Sequence, residues 1–443
     1  MRHTEKKRIL IITQCFPPHG GSGVQRPLFF SKYLSEFGWE CIILTTEQDN
    51  YPIHDESLKK HIHETTKIIR VNCPPISEKL YNVCERIDRL IGKILSRAPY
   101  IWKYSNILSK STRILLRPII RFLSIPDDIV GNLPKLVGHG FYVALKQKPD
   151  IILSTSPPPT MHLTGLTLSK LTGIPWVLDL RDEWTLNPFM QYPTRFYQKY
   201  DQFLERLTLK HARRIISTTD PIALDTAKIT RIEQKKFITI TNGHTLDENV
   251  IRELKRSSPD KNQIIFTHSG TLLKDRSPSL WIDAFEKFIN NTKNKNILLN
   301  FAGDTKHFKS QLNRPWINQL GYLEHQACLR KLAQSNVLLL IGGPLHKRCY
   351  PGKIFEYLAM GKPILTICPV DSAIYAFLQG KDHCYLADID DPSSIAHQLS
   401  IIYNLWKQNN LPFWIDRPER DIYYRRKLAK KLDTTLRGLL KTR

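Results

Sequence analysis

The sequence lacks several features that would assign a protein class at once. No run of 18 or more apolar residues occurs in the 443 residues, which argues against a membrane-spanning helix. The eight cysteines include no Cys-x-x-Cys pair, so neither a zinc ribbon nor a thioredoxin-like redox motif is supported. The apolar run at 9–12 is too short for the core of a signal peptide. Scattered cysteines fit a reducing compartment, and we therefore expect a cytoplasmic protein.

Acidic residues are scarce relative to basic ones. The chain has 65 lysines and arginines against 41 aspartates and glutamates, a formal net charge of +24. This excess points to an anionic partner, which could be nucleic acid, phospholipid or a phosphorylated substrate. The other proportions, 41% hydrophobic and 24% charged residues, are ordinary for a globular protein, and the length predicts two or three domains.

Short apolar runs alternate with amphipathic stretches in two successive series. This pattern is typical of α/β domains with parallel sheets. A polar segment rich in charged residues separates the two series and predicts a linker. We therefore expect two Rossmann-like domains facing a central cleft, with an N-terminal domain at 1–247, a linker at 248–262, a second domain at 263–416 and an amphipathic helix at 417–443.

Two segments concentrate the positive charge. Within a helical insertion at about 75–140, residues 86–121 hold nine basic residues against one acidic residue, with Tyr100, Trp102 and Tyr104 in the middle. The C-terminal stretch 417–443 holds ten against three and carries a helical stripe of leucines. Basic amphipathic segments with interfacial aromatics are typical of peripheral binding to an anionic membrane surface. A helical hairpin with a solvated basic face explains 86–121 equally well.

In the first series, a glycine-rich loop and a charged cluster follow predicted strands. The loop at 16–23 contains Gly20, Gly21 and Ser22 before a predicted helix, where backbone amides can bind an anion. Its spacing is not Gly-x-Gly-x-x-Gly, and a tight strand–helix turn is the simpler interpretation of the loop alone. The cluster at 179–184 can supply a general base or sugar-binding carboxylate, or form an internal salt-bridge network. His162 follows the preceding strand and is either a catalytic or a packed histidine.

In the second series, two motifs suit a phosphorylated ligand. Gly270 follows the first strand and permits close backbone approach, and two cations, Lys274 and Arg276, follow in the same loop. A later Pro-Gly opens a predicted helix that places Lys353 and Glu356 three residues apart on its first turn. Such a lysine can bind phosphate, and such a glutamate can accept hydrogen bonds from ribose hydroxyls. A solvated loop and a surface Lys–Glu pair are the alternatives.

Taken in order, these sites resemble those of retaining nucleotide-sugar glycosyltransferases of family 4, which have the GT-B fold. The Phe-Pro-Pro-x-Gly-Gly loop resembles the family's first acceptor-side loop, and Asp179-Leu180-Arg181-Asp182-Glu183-Trp184 is similar to an Asp-x-Arg-Asp-x-Trp subgroup. Asn242-Gly243 looks like the Asn-Gly that ends the family's first domain, and residues 320–340 resemble its base-holding loop with the helix and strand after it. In the family a C-terminal tail crosses back to the first domain, and the resemblance implies the same return for the helix at 417–443.

The resemblance implies a role for each matching residue. Glu356 matches the second glutamate of the family's Glu, seven residues, Glu motif, whereas Arg348 stands at the position of the first. Asp182 and His162 are the candidate catalytic residues. The donor-binding residues would be Gly270, Lys274, Arg276, Gly321, Tyr322, Gly352, Lys353, Ile354 and Glu356. The acceptor side would use Gly20, Gly21, Ser22, Asp179, Arg181, Trp184 and Asn242.

The implied activity is that of a hexosyltransferase using a nucleotide-diphosphate sugar. The sugar would pass, with retention, to a sugar or lipid-linked glycan in the synthesis of a surface polysaccharide such as lipopolysaccharide. Lysine, arginine and helix amides can stabilise the departing diphosphate without magnesium, so we expect no metal and no cofactor besides the donor. The alternatives are a nucleotide-sugar epimerase of the same fold and a nucleic-acid-binding protein, although no nucleic-acid module is recognisable.

Overall fold

The computed structural model describes residues 6–47, 53–78, 86, 120–257, 259, 262–272, 277–292 and 296–441. The basic insertion predicted at 86–121 lies almost entirely outside these residues. Contacts divide the chain into two units, Met1–Ile240 with Ala429–Arg443, and Thr241–Leu428. Each unit contains one parallel sheet, which confirms the prediction of two Rossmann-like domains. No helix in the described part of the chain has the length and apolarity to cross a membrane.

In unit 1 the described strands form a parallel sheet in the order β3-β2-β1-β4-β5-β6-β7. The strands are β1 (Lys7–Thr13), β2 (Trp39–Glu47), β3 (Lys67–Asn72), β4 (Ile151–Ser156), β5 (Trp176–Leu180), β6 (Arg214–Ser217) and β7 (Phe237–Thr239). Residues 9–12 of β1 are fully buried, as expected for a strand covered on both faces of its sheet. The helices are α1 (Ser22–Glu36), α2 (Leu133–Gln147), α3 (Thr160–Thr172), α4 (Arg195–His211) and α5 (Asp220–Thr230).

In unit 2 the described strands form a parallel sheet in the order β10-β9-β8-β11-β12-β13. The strands are β8 (Ile264–Ser269), β9 (Ile297–Ala302), β10 (Ile317–Gly321), β11 (Val337–Ile341), β12 (Ile364–Cys368) and β13 (Cys384–Asp388). The helices are α6 (Glu248–Lys255), α7 (Ser279–Thr292), α8 (His325–Ala333), α9 (Lys353–Met360), α10 (Ala373–Leu378), α11 (Pro392–Lys407) and α12 (Pro418–Ile422).

Helix α6 occupies the first half of the segment predicted as a linker. The Asp247 side chain accepts a hydrogen bond from the backbone N of Val250 at 2.9 Å, which caps the helix. Ile251 and Leu254, three residues apart, are buried in the core of unit 2. The segment is rich in charged residues, a composition that predicts a linker, but its two buried apolar residues are sufficient to attach a short amphipathic helix to unit 2.

A last helix, α13 (Arg425–Lys441), carries the leucine stripe predicted in the C-terminal segment. Its residues from Ala429 onward belong to unit 1, where the Trp39 Nε1 donates to Asp433 Oδ1 at 2.7 Å. The stripe is not available to a lipid surface, in contrast to the sequence-based expectation, because its leucines are at most 9% exposed. These are Leu428, Leu432, Leu436 and Leu439.

In each sheet the strand order reverses at one place, where the next strand of the sequence is added on the other side of the first strand. In unit 1 this switch lies between β1 and β4, and in unit 2 between β8 and β11. Ligands of open parallel sheets bind at the carboxyl ends of the strands beside such a switch. The loops there are 14–21 and 157–159 in unit 1, and the loops that start at 270 and 342 in unit 2. The glycine-rich loop of unit 1 and Gly270 fall on these loops, and the loop that starts at 342 leads to Lys353 at the start of α9, whereas the charged cluster at 179–184 follows the next strand, β5.

Candidate functional site

The centre of the candidate site in unit 2 is Lys353, the first residue of α9. Its Nζ lies 3.1 Å from His268 Nε2 and also donates to the backbone carbonyl of Ser269, both at the end of β8. A Cβ on Gly270 would lie 3.0 Å from this Nζ, and Gly270 has a φ of +97°. Glycine at this position therefore leaves room for the ammonium group beside the backbone.

His268 orients the lysine. It is fully buried, and its Nδ1 lies 3.0 Å from the carbonyl oxygen of Leu339 in β11. A carbonyl only accepts, so Nδ1 carries the ring proton and Nε2 presents a lone pair to the ammonium of Lys353. The sequence analysis missed His268. The available signal was a histidine at the end of a predicted strand, two residues before a glycine.

Tyr357 attaches the same helix to the same strand. Its hydroxyl oxygen accepts a hydrogen bond from Ser269 N at 2.9 Å and lies 3.1 Å from Ser269 Oγ. Burial raises the pKa of Tyr357, which keeps the phenol neutral. Because Tyr357 lies one turn after Lys353 on α9, the two side chains together fix the start of this helix against the end of β8.

Glu356 is hydrogen-bonded to His325, the first residue of α8. The His325 Nε2 and Glu356 Oε1 lie 2.9 Å apart, and the glutamate side chain is 20% exposed. Burial acts to raise the pKa of Glu356, but the hydrogen bond and charge of His325 and the charge of Arg425 outweigh it and hold the pKa below its usual value. The group is therefore an ionised hydrogen-bond acceptor at neutral pH.

Glycine also shapes the loop after β9. Gly303 has a φ of +155°, and a Cβ there would lie 2.4 Å from the backbone carbonyl of Gly270. The loops after β8 and β9 thus touch through two glycines. Gly303 was not singled out from the sequence, because its role depends on contact with a loop 33 residues earlier.

The other expected donor residues are placed as follows. Tyr322 is 75% exposed in the loop before α8, and Gly321 has a φ of +67°. The side chain of Ile354 is fully buried in the core, so only its backbone can face a ligand. Arg348 is partly buried, and Gly352 precedes α9 with helical backbone angles. Lys274 and Arg276 lie outside the described residues.

In unit 1 Asp179 forms a buried salt bridge with Arg26 of α1. The Arg26 Nη2 lies 2.8 Å from Asp179 Oδ1, and its Nε contacts both carboxylate oxygens at 3.0 and 3.1 Å. Thr155 Oγ1 donates to the same carboxylate at 2.8 Å. Asp179 is fully buried, so it is not free to act as a base or to hold a sugar hydroxyl. The internal salt-bridge alternative applies, with Arg26 instead of Arg181 as the partner.

Arg181 binds backbone carbonyls. It donates to the carbonyls of Ser156 at 2.6 Å and Pro157 at 2.9 Å, and to that of Gly23. It thereby joins the ends of β4 and β5 to the start of α1, beside the switch in the sheet. The neighbouring Asp182 is exposed. Of the expected catalytic pair, Asp182 alone faces solvent.

His162 is fully buried and does not reach the surface. Trp176 Nε1 donates to Ser154 Oγ at 2.8 Å, and this hydroxyl lies 2.8 Å from His162 Nδ1. The His162 ring is therefore held inside the domain by a hydroxyl that also accepts a hydrogen bond from Trp176. Burial lowers the pKa of His162 to about 3, so the ring is neutral. The structure supports the packed-histidine alternative and not the catalytic one.

The remaining acceptor-side residues surround the start of α1 or lie elsewhere. Gly20 N donates to the Ile53 carbonyl at 2.7 Å. Gly21 caps α1 and Ser22 is its first residue; both are exposed, and the helix has no acidic residue in its first turn. Trp184 is buried, and its Nε1 donates to Asp201 at 2.8 Å. Asn242 is partly buried and belongs to unit 2. Among the described residues, no three His, Cys, Asp or Glu side chains form a cluster able to hold a metal.

Comparison with known proteins gives a family and a fold. Residues 30–243 match the model of a Glycosyl transferase 4-like domain. No curated protein sequence matches the chain. Sucrose-phosphate synthase from Thermosynechococcus elongatus superimposes with a TM-score of 0.64 and 13% identity, covering 99% of this chain and all of that one (100%).

Two further solved structures are similar over nearly the whole chain. A glycosyltransferase from Rickettsia africae ESF-5 has a TM-score of 0.61 and 12% identity, over 99% of this chain and 100% of that chain. A putative UDP-N-acetylglucosamine 2-epimerase from Listeria monocytogenes has a TM-score of 0.52 and 9% identity, over 99% of this chain and 98% of that chain. At these identities the likeness shows the fold alone. The resemblance seen in the motifs is confirmed by the match of residues 30–243 to the Glycosyl transferase 4-like domain.

Proposed function

We propose that the protein transfers a sugar from a nucleotide-diphosphate donor to a sugar or lipid-linked glycan acceptor in surface polysaccharide synthesis. The observation that carries this proposal is the arrangement at the start of α9. A lysine ammonium held by His268 and an ionised Glu356 lie on one helical turn beside the switch between β8 and β11. A cation and a hydroxyl acceptor at this spacing suit the diphosphate and ribose of one nucleotide.

The chemistry follows from the charge that develops on the donor. When the bond between sugar and diphosphate breaks, negative charge grows on the diphosphate, and the Lys353 ammonium stabilises it. A charge-assisted hydrogen bond of this kind contributes about 1.5–3 kcal/mol. Glu356 accepts from ribose hydroxyls and fixes the position of the nucleotide relative to Lys353. Lys274 and Arg276 are proposed as further diphosphate-binding cations on the basis of the family resemblance.

The finer parts of the proposal rest on the resemblance and on charge. They are retention at the anomeric carbon, transfer of a hexose, independence from metal ions, and a role for the exposed Asp182 on the acceptor side. The basic segment 86–121 supports a location on the inner face of the membrane, where anionic lipids attract it. A lipid-linked acceptor would be reached there.

The test is calorimetric titration of the protein with nucleoside diphosphates and nucleotide sugars. We expect Lys353→Ala and Glu356→Gln each to weaken nucleoside-diphosphate binding by about tenfold or more, because each removes a charged hydrogen-bonding group. Lys331→Ala, an exposed lysine on α8 of the same unit, is the matched control and should bind like the wild type. Absence of any nucleoside-diphosphate binding to the wild type would refute the proposal.

Epimerisation is the second candidate, favoured by the likeness to the epimerase fold. An epimerase converts its nucleotide sugar without an acceptor. Mass spectrometry and chromatography of each donor incubated with the protein alone separate the two functions. Conversion to an epimer would favour the second candidate, whereas a product that forms only when a glycan acceptor is added would favour transfer.

A further inference from the structure

Helix α4 of unit 1 exposes aromatic side chains along one face. Phe196 is 64% exposed, Tyr200 38% and Phe203 58%, and their spacing of four and three residues places them on one side of the helix. Phe122, 40% exposed, adds a fourth ring, with its centroid 6.2 Å from that of Phe196 and 5.9 Å from that of Tyr200. These four rings form one continuous exposed surface, which we call the aromatic face.

Basic residues border the aromatic face on the same helix. At 100° per residue they form a stripe directly beside the exposed rings, and α4 exposes no acidic side chain. The stripe consists of Arg195, Lys199, Arg206 and Lys210, all exposed. The outward half of the helix is thus aromatic and cationic at once.

The acidic residues of α4 point inward and hold the helix in this orientation. Asp201 accepts hydrogen bonds from Trp184 Nε1 at 2.8 Å and from Tyr192 OH at 2.6 Å, and Glu205 accepts one from Thr185 Oγ1. Asp201 is fully buried and Glu205 is 2% exposed. Ordinary surface helices bury apolar side chains and expose charged ones, whereas α4 buries its carboxylates and exposes three aromatic rings.

From this geometry we infer that the aromatic face and its basic border dock on the surface of an anionic lipid bilayer. Aromatic rings enter the boundary between headgroups and acyl chains, while lysine and arginine bind lipid phosphates. The charge complementarity favours anionic lipid over neutral lipid. Two more exposed apolar residues, Phe189 and Met190, precede α4 and extend the apolar surface. The inference rests on the proposed lipid-linked acceptor and names the surface that would bring the enzyme to it.

The experiment is flotation of the full chain with lipid vesicles. Vesicles of phosphatidylcholine alone are compared with vesicles that contain about 30% phosphatidylglycerol, at low and high salt, because headgroup attraction is screened by salt. We expect the wild type to float with the anionic vesicles at low salt. Phe196→Ser with Phe203→Ser, and separately Lys199→Gln with Arg206→Gln, should each reduce the partition coefficient about tenfold or more.

The matched control is Leu224→Ser with Ile229→Ser on α5, two apolar residues of the same unit that are 47% and 48% exposed. It should float like the wild type. Calorimetric titration with nucleoside diphosphate is run on every variant, so that loss of flotation is separated from failure of the donor site. If the wild type does not bind nucleoside diphosphate, the proposed function is contradicted. The flotation result then still decides whether the aromatic face binds lipid.

Three results would overturn the inference. The first is a wild type that does not float with anionic vesicles, and the second is flotation of the aromatic and basic variants that equals that of the wild type. The third is a wild type that self-associates in gel filtration, while Phe196→Ser with Phe203→Ser is monomeric and still floats. In that case the aromatic face joins two copies of the chain.

Discussion

Single residues at the sheet switches have roles that their chemistry alone does not predict. In unit 2, Lys353 contacts His268 and a backbone carbonyl at the end of β8, and it is the cation of the proposed donor site. In unit 1, by contrast, the charge of Arg26 is matched by Asp179 inside the core. A basic residue near a glycine loop is thus part of the internal packing in unit 1, and in unit 2 it is the residue proposed to bind the diphosphate.

Breaking the Arg26–Asp179 pair should destabilise unit 1 strongly. We expect Arg26→Ala to lower the free energy of unfolding by about 3–5 kcal/mol, because it leaves a buried carboxylate without its countercharge. Chemical denaturation followed by tryptophan fluorescence measures the change. The control is Lys59→Ala, which breaks an exposed pair with Glu56 and should cost less than about 1 kcal/mol. Equal effects of the two variants would contradict this role.

At the scale of elements, helix ends place the functional side chains. Helix α9 ends at Gly361, whose φ of +61° suits glycine and whose position leaves no room for a side chain. A Cβ there would lie 1.8 Å from the carbonyl oxygen of Ile415. This end anchors the helix that carries Lys353 and Glu356 on its first turn.

Gly361→Ala should therefore destabilise unit 2 by several times the cost of a left-handed alanine alone. That cost is about 1–2 kcal/mol, and Gly380→Ala measures it, since Gly380 has a φ of +81° and open space around it. Thermal unfolding of both variants gives the comparison. Similar melting temperatures for the two would show that the contact with Ile415 relaxes at no cost.

The buried Glu205 of helix α4 should make the stability of unit 1 depend on pH. Burial raises the pKa of Glu205 from 4.5 to about 7, so folding favours the protonated carboxyl. The stabilising effect of this protonation is complete below the unfolded pKa near 4.5 and is lost as the pH rises through about 7. Burial also raises the pKa of Asp201, and that of Asp127 to about 6, while lowering that of His162, which acts in the opposite direction.

Glu205→Gln isolates the contribution of this one group. Relative to the wild type, the variant should gain about 1–3 kcal/mol of stability when the pH changes from about 5 to about 8, since glutamine does not ionise. Denaturation of both proteins at the two pH values measures this double difference. A difference that does not change with pH would show that the carboxyl is ionised in the folded protein throughout the range.

At the scale of the whole molecule, the C-terminal helix completes unit 1. Besides the bond between Trp39 and Asp433, Arg437 donates to the Phe37 carbonyl at 2.8 Å, and Lys431 donates to that of Thr239 at 2.8 Å. These contacts join residues about 190 to 400 positions apart in sequence. The basic residues of this segment therefore remain at the surface of a helix whose apolar side is used internally.

Leu436→Ala should lower the free energy of unfolding of unit 1 by about 2–5 kcal/mol, because it empties a fully buried position. Thr434→Ala, at an exposed position on the same helix, should change it by less than about 0.5 kcal/mol. Chemical denaturation of the two variants provides the measurement. If Leu436→Ala were as stable as Thr434→Ala, the helix would not be part of the core.

Local patterns in the sequence were sufficient for the elements and for the donor motif. Apolar runs marked the strands, and glycines marked the loops at their carboxyl ends, because both depend on residues close together in the chain. Lys353 and Glu356 could be placed on one helical turn for the same reason. The spacing around Glu356 also carried the resemblance to family 4, and it showed that Arg348 stands where the family has its first glutamate.

Which charged residues pair inside the protein depends on contacts between distant parts of the chain. His162 and Asp179 were candidates for chemistry, and both are buried, whereas His268 and Arg26 were not noticed. Arg26 and Asp179 are 153 positions apart, and their pairing depends on how α1 packs against the sheet. The orientation of α4, with its aromatic side outward, likewise depends on the hydrogen bonds from Trp184 and Tyr192 to Asp201. Helices and strands could thus be read from the sequence, because their periodicity is local. The partners of the charged side chains could not, because burial and charge pairing join residues that packing alone brings together.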